Sequence, residues 1–479
     1  MRFLLVSPKS GAWTSPELLP AGLAYLAASL EQAGYAVQVH DAVTEDDTVE
    51  QRLDAASARG EAYDVVGITA VTPMIHEVWR IAAEANRRGA VTVLGGPHPT
   101  ILPEESLARP EVDLVVRGEG EDAIVEIAAA CAQIARDPES RDAVLASVDG
   151  LSFKREDGEI VNNPIRPLRR DLDSLPRPAY HLFRVEKYSN LQPLTDGRDP
   201  HARAFTILTS RGCPYQCTYC SKSITGRTWR PRSIPGVVHE WAWLTRDLRA
   251  TEIGLADDVF NLDLDRAKEL CRALIAEGLT RVPWITIHGM RAHPSDLELF
   301  QLMKEAGCKR VGFGVESGNQ TILDSIKKQQ TVDQVRAAFR NAKRAGLETM
   351  GFFMFGLPGE TAATMDDTIA LALELDPDMA NFMITAPLPG TELYSTVIQN
   401  GHLFSTDWTD FAIHDNKARF EIGDLTKELV EAKWHEAYRR FYMRPSRLFR
   451  QAFRPDTWRR LPLYLDTARR FFLGGQQQA

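Results

Sequence analysis

The chain has 479 residues and a formal charge of −9, with 44% hydrophobic and 25% charged positions. Such a length asks for two or three compact units, and such a mix excludes disordered and collagen-like chains. Without a long basic block it is a poor generic nucleic-acid binder; no apolar run reaches the ~18–20 residues that insert stably in a bilayer; six cysteines cannot scaffold a chain this long.

The start, MRFLLVSPKSG, is cut short by Ser7-Pro8 and is no secretory signal, so a cytoplasmic protein is expected. Over 1–150, the runs RFLLVSP, AVQVHDA, DVVGITA, VTVLGGP and DLVVRGEG alternate with amphipathic stretches such as LAYLAASLEQAG. Rich in Val, Ile and Leu with little alternation, they predict strands buried on both faces of a doubly wound, Rossmann-like α/β domain. Ligands of such sheets bind beyond the carboxyl ends of the strands. Those ends carry Ser7-Pro8, Asp41, Thr69 to Thr72, Gly95-Gly96-Pro97-His98 and Arg117-Gly118-Glu119-Gly120. No GxGxxG follows the first strand, which disfavours a dinucleotide.

Residues 151–203 read as a hairpin, SFKREDGEIVNN turning at Asp157-Gly158, and a Pro-rich charged linker. Over 204–400, AFTILTS, TEIGLADD, PWITIHG, RVGFGVES, ETMGFFMFG and MANFMITAP alternate with helices. Six strand–helix units predict a partial (β/α)6 barrel with its chemistry at the carboxyl face. Residues 401–479 are expected to form a helical C-terminal domain rich in Arg and aromatics.

RGCPYQCTYC places Cys213, Cys217 and Cys220 directly after AFTILTS. Thiolates suit iron–sulfur clusters and zinc. Structural zinc normally takes four protein ligands, whereas three thiolates on a [4Fe–4S] cluster leave one iron open. A zinc knuckle with a distant fourth ligand, or three unrelated core cysteines, are the alternatives. Cys131, Cys271 and Cys308 lie in apolar helical contexts and read as buried, inert thiols.

CPYQCTYC is a CxxxCxxC motif and resembles the cluster signature of radical S-adenosylmethionine (SAM) enzymes. The resemblance implies that SAM chelates the open iron and is cleaved reductively to methionine and a 5′-deoxyadenosyl radical. It implies that Tyr219 lies against the adenine and that Asp257 and Asp258 receive the methionine ammonium. A helix N-cap pair is the competing reading of the two aspartates. GFGVESGNQTILDSIKK resembles the next family segment, with Glu316 and Ser317 toward the SAM ribose or carboxylate. GFFMFGLPGET resembles the region whose glycines, Gly356 among them, admit the adenine. A tight turn is an equal account of Gly359.

The first domain, through PAGLAYLAASLEQAGYAVQVHDA, DVVGITAVTP, VTVLGGPHPTILPEE and DLVVRGEGE, resembles the cobalamin-binding domain that precedes many radical SAM cores. The corrin contacts so implied are Pro8, Leu23, Thr69, Thr72, Gly95, Gly96, His98, Gly118 and Glu119. No histidine completes the DxHxxG that supplies a lower axial ligand in many cobalamin proteins, so a base-off corrinoid or an empty domain is expected. His98 would hydrogen-bond the corrin or its nucleotide tail, or simply face solvent. Arg439, Arg440, Arg444, Arg447 and Arg450 form a positive stretch, read as a solvated helix face or as recognition of an anionic substrate or membrane surface. The expected protein is a cobalamin-type radical SAM enzyme methylating an unactivated carbon of a small, natural-product type substrate. A flavodoxin or ferredoxin would supply electrons. A radical dehydration, cyclisation or rearrangement without methylation is the alternative.

Overall fold

The first five apolar runs become parallel strands: β1 Arg2–Ser7, β2 Ala36–Asp41, β3 Val65–Thr69, β4 Val91–Gly95 and β5 Leu114–Val116. They are seen in a computed structural model, which describes residues 1–9, 18–188, 190–192, 196, 199, 201–412 and 415–447. The strand order is β2-β1-β3-β4-β5, then β6 Leu151–Lys154 and β7 Ile160–Asn162. The chain reverses direction across the sheet between β1 and β3, where open α/β sheets bind ligands.

Both faces of this sheet are covered, which is why its strands lack alternation in the sequence. Phe3 and Leu5 enter a core that continues into the second domain, while Leu4 and Val6 enter a separate core under the helices Val49–Ala58 and Ile75–Asn86. The 151–162 hairpin forms as β6 and β7. β6 pairs antiparallel with β5 and extends the first sheet.

The second sheet holds β8 Ala204–Ile207, β11 Glu252–Leu255, β12 Trp284–Thr286, β13 Cys308–Glu316, β14 Glu348–Phe355 and β15 Met379–Ile384. The order is sequential and every pair parallel, as in an open six-stranded (β/α) barrel. Between β8 and β11, the short strands β9 Ser210–Arg211 and β10 Arg230–Pro231 pair antiparallel and close the cysteine loop at its neck.

The C-terminal region is mixed rather than wholly helical. β16 His402–Leu403 pairs with β17 Phe420–Glu421, and the helix Lys427–Tyr442 follows, started by a Thr426 side-chain cap. That helix covers the barrel's open edge. Tyr442 Oη donates to Ala380 O at 2.7 Å and accepts from Ala380 N at 3.1 Å, and Trp434 Nε1 donates to Phe382 O at 2.8 Å. An edge strand needs such partners for its unpaired backbone. Arg444 pairs with Asp376, and Arg447 donates to Pro377 O and Asp378 O, so these two brace the same edge. Arg439 and Arg440 are exposed, and Arg450 lies outside the described residues. Among the described residues no helix is long and apolar enough to cross a membrane.

Candidate active site

The cysteine loop begins with a glycine that nothing else could replace. Gly212 has φ +85°, and a Cβ there would stand 2.2 Å from Thr228 O. Cys213 is buried, Cys217 and Cys220 half-buried. Burial pushes the Cys220 thiol up, the Lys222 ammonium opposes it, and the neighbouring Cys217 and Cys213 sulfurs raise it further. The three sulfurs therefore share one electrostatic environment. Among the described residues no three His, Cys, Asp or Glu side chains converge tightly enough for a single ion. Three soft thiols on one loop are the donor chemistry of an iron–sulfur cluster. Cys271 and Cys308 are buried, and Cys131 is half-buried; burial raises the Cys271 thiol to about 12 and Cys131 to about 11, which keeps them protonated and inert.

Two adjacent aspartates at the end of β11 hold this loop. Asp257, 2% exposed, accepts from Thr209 N at 2.6 Å, Thr209 Oγ1 at 2.5 Å and Ser210 Oγ at 2.7 Å. Burial raises its carboxyl above the usual range, and those hydrogen bonds pull the other way. Asp257 is thus committed to the protein, and it is no N-cap either, since Asp263 caps the following helix Leu264–Ala276. Asp258 is exposed and accepts from Gly212 N at 2.8 Å and Thr225 Oγ1 at 2.7 Å through one oxygen. Among the described residues no donor meets its other oxygen.

Glu316, at the end of β13, is buried at φ +65°, a left-handed backbone that a non-glycine residue holds only when its surroundings impose it. Its side chain meets Lys328, whose Nζ donates to Glu316 Oε1 at 2.6 Å and lies 3.3 Å from Tyr219 Oη. Burial, then the Glu316 carboxylate, then the cysteine thiols raise the Tyr219 phenol well above its usual range. Lys328 is a site residue the sequence reading overlooked, although a buried Glu316 demanded a cation. Ser317, wholly buried, bonds Thr368 Oγ1 at 3.2 Å and accepts from Asn319 N at 3.2 Å, which spends its hydroxyl inside the fold. Gly356 N donates to Glu360 Oε2 at 2.8 Å, as does Leu357 N at 2.9 Å. Glu360 is buried, one of its oxygens has no partner among the described residues, and burial pushes its carboxyl up to about 7.

Facing the cysteine loop is a cleft of about 300 Å³ between the two sheets' carboxyl ends. From the first domain come Leu23, Thr69, Gly95, Gly96, Gly118 and Glu119; from the barrel come Leu208, Arg211, Ile224 and Thr225. A Cβ added at Gly22, Gly95 or Gly118 would meet nothing within 4 Å, so these glycines border open space that a flat ligand can fill. The wall is otherwise mainly Leu, Ile and Val, and this suits a corrin face.

Three of the nine expected corrin residues, Pro8, Thr72 and His98, lie outside the cleft's lining. Pro8, directly after β1, is buried and does not line the cleft. His98 does not face solvent: it is 0% exposed, its Nδ1 lies 3.3 Å from Thr72 Oγ1, its Nε2 lies 3.3 Å from Glu105, and Trp408 packs edge-on against it. Burial lowers this imidazole to about 4, so it is neutral. Thr72 is buried with it. Glu119 lines the cleft, but both its oxygens are taken by Arg211 and Arg230. Those arginines too were overlooked, although Arg211 stands two residues before Cys213. Trp284 is core, donating to Ala306 O at 2.9 Å; Arg291 holds the backbone of Lys328 and Gln329; His288 is exposed at the barrel mouth.

The radical SAM superfamily profile matches residues 207–372, and the B12 binding domain profile matches 14–128. The chain is 34% identical to an uncharacterized methyltransferase, PH0819, of Pyrococcus horikoshii, over 95% of each chain. It is 31% identical to the anaerobic magnesium-protoporphyrin IX monomethyl ester cyclase of Rubrivivax gelatinosus, over 92% of this chain and 78% of that one. Its fold is similar to that of the radical S-adenosylmethionine methyltransferase TsrM from Kitasatospora setae, solved with cobalamin and a [4Fe–4S] cluster bound. The TM-score is 0.72 at 21% identity, over 93% of this chain and 91% of that one. With a cysteine loop and a glycine-lined cleft in one space, and both domains matched, the chain belongs to the radical SAM enzymes that carry a B12-binding domain.

Proposed function

We propose that this protein methylates an unactivated carbon of a small, natural-product type molecule, using a [4Fe–4S] cluster, SAM and cobalamin. The observation that carries the reading is the shared cleft: Gly95, Gly96 and Gly118 of one sheet face Leu208, Ile224 and Thr225 of the other across one apolar space. When bound, the cofactors supply a 5′-deoxyadenosyl radical and a transferable methyl group.

The protein's own residues position and shield. Cys213, Cys217 and Cys220 hold the cluster, on a loop fixed by Asp257 through Thr209 and Ser210 and by Asp258 through Gly212. Asp258, with an oxygen to spare, receives the methionine ammonium, a charge-assisted contact. Lys328 balances Glu316 and contacts Tyr219 beside the cysteines; Tyr219 lies against the adenine and Glu316 faces the ribose or carboxylate of SAM. Glu360 fixes the Gly356 turn that admits the adenine, and Ser317 supports the neighbouring turn from within. Leu23, Thr69, Gly95, Gly96 and Gly118 seat the corrin; Thr72 and His98 brace the loop beneath it. The apolar walls exclude water that would quench a radical. A low-potential donor such as flavodoxin or ferredoxin delivers the electrons.

The test is anaerobic turnover of the reconstituted protein with SAM, reductant and a panel of small molecules. S-adenosylhomocysteine together with a methylated product supports the reading. The similarity to the Rubrivivax cyclase favours a second one, a radical cyclisation or rearrangement without methyl transfer. Its signature is 5′-deoxyadenosine in step with product and no S-adenosylhomocysteine, and that result overturns the first reading.

A further inference from the structure

The two cofactor holders are joined at one point by buried charge. Arg211 lies in β9 and Arg230 in β10, the two strands that form the neck of the cysteine loop. Both reach out of the barrel to Glu119, in the loop between β5 and the helix Glu121–Ile134 of the first domain. Arg211 Nη1 donates to Glu119 Oε1 at 3.0 Å; Arg230 Nη1 donates to Oε2 at 2.8 Å and its Nη2 to Oε1 at 2.9 Å. Arg211 Nη2 donates to Glu121 Oε1 at 2.7 Å. All four side chains are at most 10% exposed.

Two arginines and two glutamates balance, so no charge is stranded. Yet a balanced buried network is a weak source of stability, because desolvation offsets most of the attraction. Its distinctive property is geometric. A guanidinium fork on a carboxylate fixes direction as well as distance. Here it ties Gly118 and Gly120, which line the cleft, to a strand whose next residues are Gly212 and Cys213. A second tether closes the seam elsewhere, where Trp408 Nε1 donates to Glu105 Oε1 at 2.8 Å. Loss of the clasp would therefore leave the domains attached through this contact and their shared core, but less tightly fixed at the cluster side.

We propose that Glu119, Arg211 and Arg230 are positioning residues that set the separation between corrin and cluster. This rests on the reading above that both cofactors bind. The test uses the full chain, anaerobically reconstituted, loaded with cob(II)alamin and reduced, so that both metal centres are paramagnetic. The cluster shortens the cobalt spin relaxation in a way that depends steeply on distance, and no substrate is needed.

Glu119→Gln removes the charge and keeps the shape; Arg230→Lys keeps the charge and loses the fork. Lys433→Met, on the C-terminal helix, breaks an ion pair with Asp366 of the helix Ala362–Leu375 and is the control. Glu119→Gln and Arg230→Lys are expected to retain iron and cob(II)alamin but to slow the cobalt relaxation several-fold and broaden its distribution. The control should match the unmodified protein. Should Glu119→Gln fail to load, Arg230→Lys decides alone. Unchanged relaxation in loaded Arg230→Lys overturns the proposal. An unmodified protein that takes up no cob(II)alamin or no iron would show a different failure, that of the underlying reading, and the clasp's role would fall with it.

Discussion

Removing the Asp257 carboxylate tests the claim that this residue holds the cysteine loop rather than a ligand. In Asp257→Ala, three donors lose their acceptor: Thr209 N, Thr209 Oγ1 and Ser210 Oγ. A buried donor left unmade costs about 1–3 kcal/mol. The two hydroxyls can rotate toward other oxygens, while the Thr209 backbone N–H cannot move, so the expected loss is about 2–5 kcal/mol. Asp257→Asn keeps one acceptor oxygen but turns an NH2 toward existing donors, and about 1–3 kcal/mol is expected. Ser210 lies three residues before Cys213, so the strain reaches the cluster: iron and sulfide per chain should fall in both variants. The assay is urea unfolding of the anaerobically reconstituted protein followed by circular dichroism, alongside iron analysis. Asp258→Ala, at an exposed site, should lower iron content with a smaller stability change. If Asp257→Ala unfolds within about 0.5 kcal/mol of the unmodified protein, as a surface change would, and keeps its full iron, the reasoning is wrong.

Glu360 makes stability depend on pH. Its folded carboxyl sits near about 7 against an ordinary 4.5, because of burial. The fold therefore binds this proton more tightly than the unfolded chain. Its contribution is complete below pH 4.5 and is lost as pH rises through 7, on the order of 3 kcal/mol for such a shift. Glu360→Gln should flatten that slope, as read from unfolding midpoints between pH 5 and 8. Lys328→Met strands the buried Glu316 carboxylate, a loss of about 3–5 kcal/mol. The double variant with Glu316→Gln should recover much of that stability in thermal melts, while SAM binding by calorimetry stays weak. Gly96→Ala places a Cβ 2.7 Å from Ala70 O at φ +106°. It should cost at least about 1–2 kcal/mol and weaken cob(II)alamin binding in equilibrium dialysis.

Much of the architecture was legible because local pattern decides it. Residues such as Leu4 and Val6 on one face of β1 and Phe3 and Leu5 on the other make a run apolar throughout, and such a run is a strand buried twice over. CxxxCxxC needed only spacing. The hairpin at Asp157-Gly158 formed at its turn, yet its place as the edge of the first sheet depended on pairing with β5, which local pattern does not encode.

The site residues divide in the same way. Composition and order along the chain determined which groups could do chemistry: three thiols in eight residues, acidic pairs and glycines at strand ends. Only the tertiary structure decided which of them are free to do it. Glu119 is occupied by arginines 92 and 111 positions away, Asp257 by hydroxyls 47 and 48 positions away, His98 by a tryptophan from the C-terminal segment. A polar side chain removed from water must find a partner, and the fold chooses that partner from any part of the chain. The periodicity of neighbouring residues reports burial but is silent about which distant group will meet it there.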